Sequence, residues 1–327
     1  MNMKNVFLIG GAGYIGTELT NLLINSGYKV TVFDLFIYGD TLMKNQNLEI
    51  IKGDIRDLTF LEKKIKNYEN VIHLACISND PSFDLNPTLG KSINFDPFEG
   101  LVKICKDNGV KRFIYASSSS VYGINSDPNV DESFSLKPLT DYSKYKVMCE
   151  EILFKYNDKN FICSSIRPAT VCGYSKRQRL DLVVNILTNH AYNKGEISVL
   201  GGSQLRPNIN IKDMCNSYLH MLNVDEKLIN GEAFNVGFEN HPVEYLAEMV
   251  KETLEKQVQI KKLPSNDDRS YHISSEKILK VLNFKPTYSI KEAIVDLKSA
   301  FSKNLLIKPL SNEMYYNIKR MNSINLV

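Results

Sequence analysis

The chain of 327 residues is 43% hydrophobic and 24% charged, a balance that supports an ordered core in one large domain or two ordinary ones. Its 40 basic and 37 acidic residues leave a net charge of +3, too even for nucleic-acid binding by bulk electrostatics, so any phosphate site must be local. No run approaches the roughly 18 apolar residues of a membrane span. The opening apolar stretch is too short for a signal peptide, and the six cysteines form no CxxC pair; both features point to a cytoplasmic protein with reduced thiols.

Strand-like runs at 5–9, 29–33, 48–52, 71–74, 112–116 and 161–167 alternate with helical patterns at 15–26, 58–66, 97–108 and 142–156. Such alternation predicts an α/β fold, a doubly wound parallel sheet covered on both faces. After Pro168 the rhythm stops. Polar, loop-like segments at 173–179 and 201–210 interrupt helical patterns at 182–193 and 212–223, and a run at 232–236 is placed to extend the first sheet. Helices at 243–255, 275–282 and 290–302 follow, and the residues from 305 onward, without a pattern of their own, read as a docked tail. No internal repeat stands out.

The first strand runs into V-F-L-I-G-G-A-G-Y-I-G, which sets Gly10, Gly13 and Gly16 in a GxxGxxG turn ahead of a helix opening at Tyr14 and Ile15. Bare backbone at such a turn lets a diphosphate approach the helix N-terminus, and Gly16 lets the helix pack close to the sheet. Asp34 ends the second strand 18 residues after Gly16, where a carboxylate accepts hydrogen bonds from a ribose and repels a 2′-phosphate. NAD is therefore favoured over NADP. After the third strand, Asp54 in Gly53-Asp54-Ile55 is placed either to meet the adenine or to cap the next helix, and Leu74-Ala75 would line the cofactor after the fourth.

Tyr142 and Lys146 stand four residues apart on one face of a predicted helix, D-Y-S-K-Y-K. A tyrosine with an ordinary pKa of about 10 needs a neighbouring cation to act as a base near neutrality. Lys146 and a positive nicotinamide would supply that charge, and Lys146 is also placed to hold the nicotinamide ribose. Ser118, in A-S-S-S-S-V-Y-G at the carboxyl end of a strand, faces the crevice in which such folds bind ligands. Taken singly, each element has a bland reading: a surface Tyr/Lys pair, or serines that satisfy a turn.

In order, these motifs resemble those of the extended short-chain dehydrogenase/reductase family, within it the nucleotide-sugar epimerase and dehydratase branch, from about Lys4 to Lys298. The resemblance implies residues 1–168 as an NAD-binding Rossmann domain joined by parts of 206–237, residues 169–303 as a smaller mixed α/β nucleotide-sugar-binding region, and residues 304–327 as a tail. It implies Tyr142 as the base, Ser118 as its hydrogen-bonding partner, Lys146 as the ribose anchor and Asn94 as a structural or proton-relay residue beside the cofactor. On the substrate side it implies Ser118, Ser119, Thr170 and Asn185, with Arg206 and Arg269 placed to clamp a diphosphate. Lys176, Arg177 and Arg179 form a basic loop within reach of phosphate. Ser119 and Ser120 stand where dehydratase and decarboxylase relatives carry acids, which disfavours dehydration. The activity expected is NAD-dependent C4 epimerisation of a nucleotide-linked sugar through a 4-keto intermediate. The alternatives are a 4-dehydrogenase or 4-ketoreductase acting on a nucleotide-linked hexose or heptose, a non-catalytic NAD(H)-binding regulator, and a reductase of small aromatic or steroid-like ketones. A homodimer through the helices at 97–108 and 142–156 is expected, with no metal.

Overall fold

The computed structural model describes residues 4–125, 127, 129–264, 272–324 and 326. The first half comprises β1 (Asn5–Ile9), α1 (Tyr14–Asn25), β2 (Lys29–Asp34), β3 (Leu48–Lys52), α2 (Leu58–Lys64), β4 (Asn70–His73), α3 (Asp80–Phe83), α4 (Pro87–Asn94), α5 (Phe98–Asp107), β5 (Arg112–Ala116), α6 (Asp141–Tyr156) and β6 (Ile162–Pro168). Then come β7 (Thr170–Cys172), α7 (Val183–Lys194), β8 (Glu196–Leu200), β9 (Leu205–Asn210), α8 (Ile211–Met221), β10 (Glu232–Val236), β11 (Glu239–Pro242) and α9 (Val243–Leu254). The chain closes with β12 (Gln259–Leu263), α10 (Glu276–Leu282), α11 (Ile290–Ser302) and α12 (Asn317–Ser323).

Seven strands form one sheet in the order β10-β6-β5-β4-β1-β2-β3, every neighbouring pair parallel. In β1, Val6 and Leu8 pack on one face with Leu19 and Leu23 of α1 and Met214 and Met221 of α8. Phe7 and Ile9 pack on the other with Phe98 and Leu101 of α5 and Cys149 and Leu153 of α6. Side chains alternate across a strand, so burial on both faces explains why β1 reads as an unbroken apolar run. The strand order reverses between β1 and β4, and that switch point opens a crevice at the carboxyl ends of the strands.

The second half adds a three-stranded sheet, β11-β9-β7, and a two-stranded one, β12-β8. Helices α7, α9 and α11 pack together through Val184, Leu187, Leu246, Val250 and Ile294. The segment 205–210 is thus a strand, although it read as loop. Its residues are Leu-Arg-Pro-Asn-Ile-Asn, and short polar strands of a small sheet carry no alternation that a sequence can show. The short helices α3 and α4 also escaped the reading; each begins with an Asn side chain accepting a backbone N–H and a proline in its first turn. In the residues from Leu305, Leu306 and Tyr316 pack with Leu297 and Phe301 of α11, and α12 then packs against α3.

Candidate active site

The glycine turn is held by the strands around it. Gly10 donates to Phe33 O at 2.9 Å and adopts φ +84°. A Cβ at Gly10 would sit 2.4 Å from Ala75 N, and one at Gly16 would sit 2.4 Å from Gly10 O. Backbone therefore meets backbone where any side chain would intrude. No side chain caps α1 and no acid occupies its first turn, so its first N–H groups and the positive end of its dipole remain for an anion.

Asp34 ends β2 with Oδ2 accepting from Ala12 N at 3.0 Å and Oδ1 from Phe36 N at 2.8 Å. Burial raises its pKa from the ordinary carboxylate value, and those two N–H groups oppose the rise. Its carboxylate lines a chamber of about 670 Å³ with Gly10, Gly13, Phe33, Ile55, Leu74, Ala75 and, from the far end of the chain, Leu326. Asp54 departs from the cap reading given to it. The cap of α2 is Asp57, and Asp54 clasps Arg56 at 2.7 Å while its neighbours Gly53 and Ile55 line the chamber. Asn94 is buried and bonds both ways to the Ile77 backbone, 2.8 and 3.0 Å, so it holds the wall of the chamber from behind.

A second chamber of about 740 Å³ adjoins the first through Gly10, Gly13, Tyr38, Leu74 and Cys76, and holds Tyr14, Ile15, Gly16, Ala116, Tyr142 and Lys146. A capping box of Thr140 and Ser143 starts α6 so that Tyr142 falls in its first turn and Lys146 one turn on. Lys146 Nζ donates to Ala116 O at 2.6 Å, at the end of β5, and lies 5.7 Å from the Tyr142 ring centroid. Ser118 is close enough to Tyr142 to lower its proton affinity, and its Oγ lies 2.8 Å from Ser120 Oγ. Tyr142 and Lys146 thus line the crevice that holds the glycine turn, and Ser118 stands beside Tyr142.

The protein's own groups raise the proton affinity of Tyr142. Burial raises its pKa well above the ordinary 10, the nearby Cys76 and Asp80 add to the rise, and the Ser118 hydrogen bond and Arg179 oppose it. Protein groups alone hold the phenol neutral.

Of the 11 buried side-chain N and O atoms without a hydrogen-bond partner among the described residues, five belong to residues lining this second chamber: Ser117 Oγ, Tyr218 OH, Arg177 Nε and Nη1, and Arg179 Nη2. Buried polar atoms rarely stay unpaired, so the crevice is built for a polar ligand. The glycine cradle, the Asp34 carboxylate and these donors fit a dinucleotide.

The substrate-side residues divide. Thr170 and Asn208 are register partners in β7 and β9, and Arg206 lies two residues from Asn208, so Thr170 and Arg206 share one face of the small sheet. Both are partly exposed, as is Ser119 beside Ser118. Asn185 corrects its expected role. It is wholly buried, its Oδ1 accepting from Gly173 N at 2.9 Å and its Nδ2 donating to Tyr14 OH and Arg179 O at 3.0 and 2.8 Å. With all three contacts made to the protein, it fixes the loop and Tyr14 instead of meeting a sugar. Arg269 lies outside the described residues. Sequence reading missed Tyr38, Cys76, Ser78, Tyr218 and Asn317, which line the second chamber without any local motif.

Comparison with known proteins agrees with this geometry. Residues 6–237 match the model of the NAD dependent epimerase/dehydratase family. A UDP-glucose 4-epimerase of Lactobacillus helveticus is 27% identical over 251 residues, covering 71% of this chain and 76% of that protein. The human sterol-4-alpha-carboxylate 3-dehydrogenase is 29% identical over 191 residues, 57% of this chain but only 49% of its own length. Among solved structures, a UDP-N-acetylglucosamine 4-epimerase from Methanobrevibacter ruminantium M1 in complex with UDP-N-acetylmuramic acid superposes with a TM-score of 0.83 at 28% identity, over 93% of this chain and 100% of that one. The family match spans more than two-thirds of the chain and contains the glycine turn, Asp34 and the Ser118–Tyr142–Lys146 constellation; this chain belongs to the NAD-dependent epimerase/dehydratase family, as an NAD-dependent enzyme.

Proposed function

We propose that the protein interconverts C4 epimers of a nucleoside-diphosphate-linked sugar. The observation that carries this reading is that Tyr142 and Lys146 line the crevice that also holds the glycine turn, with Ser118 next to Tyr142. NAD, held at the glycine turn and Asp34, would supply the hydride acceptor and donor for the sugar carbon. Tyr142 accepts the proton of the sugar hydroxyl and Ser118 orients that hydroxyl. Lys146, fixed on Ala116 O, adds positive charge beside the phenol and holds the nicotinamide ribose. Ser120, bonded to Ser118, presents a hydroxyl where elimination would need an acid. Thr170 and Arg206, on one face of the small sheet, are assigned to the sugar diphosphate. The likeness to 4-epimerases over nearly their full length supports this reading above the sterol one, whose relative is covered over only half its length.

Turnover of a panel of nucleotide sugars, followed by mass spectrometry and NADH absorbance, tests it. A product of unchanged mass and altered stereochemistry without NADH is expected, and Tyr142→Phe should lower the rate by roughly 10²–10⁴-fold while leaving NAD bound. A lighter, oxidised product with stoichiometric NADH would replace the epimerase by a 4-dehydrogenase. Activity unaffected by Tyr142→Phe would refute the catalytic assignment. A homodimer through α5 and α6 belongs to the same reading, supported by the adjacent packing of these helices and by Met148 exposed on α6. So does a reducing, cytoplasmic setting, supported by six free cysteines, five of them buried.

A further inference from the structure

The loop between β7 and α7 carries two arginines that the catalytic scheme does not use. Arg177 and Arg179 are 4% and 7% exposed, yet they line the same chamber as Gly10, Gly13 and Gly16. Arg177 stacks at 3.6 Å on the Tyr38 ring and spends only Nη2, on Asn317 Oδ1 at 2.9 Å. Its Nε and Nη1 have no partner. Arg179 pairs through Nε with Asp181 at 2.9 Å and through Nη1 with Ser78 at 3.1 Å, and its Nη2 has none. Burial pulls Arg177 down to about 10, and the adjacent Arg179 adds to the fall. Burial also works against Arg179, but Asp181 outweighs it. Leaving charged donors buried and unpaired is costly unless a ligand completes them.

Lys146, Arg177 and Arg179 line the chamber together with the uncapped N-terminus of α1, while Asp34 and Asp181 lie near Arg177. Three cations against two acids leave one positive charge, to which the helix end adds, so an anionic group fits there. We propose that Arg177 and Arg179 bind the diphosphate of the dinucleotide, as a guanidinium face opposite the glycine turn. The sugar diphosphate shares this chemistry, but both arginines share the chamber with Tyr38 and the glycine turn, and Arg177 also lies near Asp34, all cofactor-side residues, with Arg206 absent from the lining. Asn317 is the positioning residue. Besides accepting from Arg177, it donates through Nδ2 to Ser78 Oγ at 3.1 Å and through its backbone N–H to Asp181 at 2.8 Å, and Arg320 ties the same helix to Ile37 O at 2.6 Å. The C-terminal segment thereby completes the cofactor site.

Isothermal titration of the full chain, freed of nucleotide, with NAD, ADP-ribose, adenosine and UDP tests this without any sugar turnover, so it stands or falls apart from the epimerase reading. A charge-assisted hydrogen bond contributes about 1.5–3 kcal/mol, so Arg177→Met and Arg179→Met should each weaken NAD and ADP-ribose about 10- to 150-fold and leave adenosine and UDP unchanged. Asn317→Ala, which keeps both charges, should weaken ADP-ribose by a smaller factor and guards against an arginine variant that fails to fold. Unchanged ADP-ribose affinity in both arginine variants, whether or not UDP weakens, would overturn the proposal. Equal losses for adenosine and ADP-ribose in all three variants would also overturn it, because only the diphosphate distinguishes those ligands at this face.

Discussion

Lys146 offers the sharpest test of how the site sets its chemistry. Burial, with Cys76 and Asp80 nearby, keeps the Tyr142 phenol neutral, so a cation must offset that bias before the residue acts as a base near neutrality. Taking the 5.7 Å from Lys146 Nζ to the ring centroid as the charge separation gives about 3 kcal/mol at an effective dielectric constant of ~20. That corresponds to about two pKa units. Lys146→Met keeps the apolar stem and removes the charge. The assay is the near-ultraviolet absorbance of phenolate against pH in the NAD complex, with the same titration of Tyr142→Phe subtracted to remove the other tyrosines among the chain's 17. The difference titration should move up by about one to two units in the methionine variant. Below both midpoints the phenolate fraction, and with it the catalytic rate, falls about 10- to 100-fold. A titration that stays in place while activity drops would refute the electrostatic argument and leave Lys146 a purely positional role.

Two further outcomes follow from buried charge. Arg167 and Glu150 form a pair at 2.6 Å, with side chains 7% and 3% exposed, in which Arg167 also donates to Tyr122 OH. Glu150→Gln strands the guanidinium and should cost about 3–5 kcal/mol; at roughly 2.1 cal/mol/K per residue over the chain this lowers Tm by about 4–7 °C, and an unchanged Tm by calorimetry would count against the pair's importance. His73 is buried among Phe98, Phe113 and Tyr115, and burial, with Lys146 nearby, lowers its pKa to about 3. The unfolded chain takes up that proton below about pH 6.5 and the folded one does not, so stability falls as pH drops from about 6.5 toward 3, by up to ~1.4 kcal/mol per unit. Urea midpoints of wild type and His73→Phe should therefore diverge between pH 7 and 5; parallel curves would remove His73 from the acid sensitivity.

What the sequence made legible is what local geometry determines. Gly10 and Gly16 announce themselves because close backbone approach admits no other residue. Asp34 follows from the length of one strand–helix–strand unit, and the Tyr142–Lys146 spacing from one helical turn. The rest depends on contacts between distant segments. Asn185 has the polarity of a sugar contact, but its orientation is decided by Tyr14 and Gly173, far away in the chain, which turn it inward. Arg177 and Arg179 read as an exposed basic loop until Tyr38 and Asn317 enclose them. Asp54 sits in a nucleotide-binding motif, yet Arg56 two residues on takes up its carboxylate. The same division runs through Tyr142 itself. Its place is written in the helix, whereas its proton affinity is set first by burial, with Cys76 and Asp80, which follow another strand, adding to the rise. Two chains with identical Ser, Tyr and Lys motifs can therefore differ in the pH at which they act, through how deeply the phenol is buried and which distant side chains surround it.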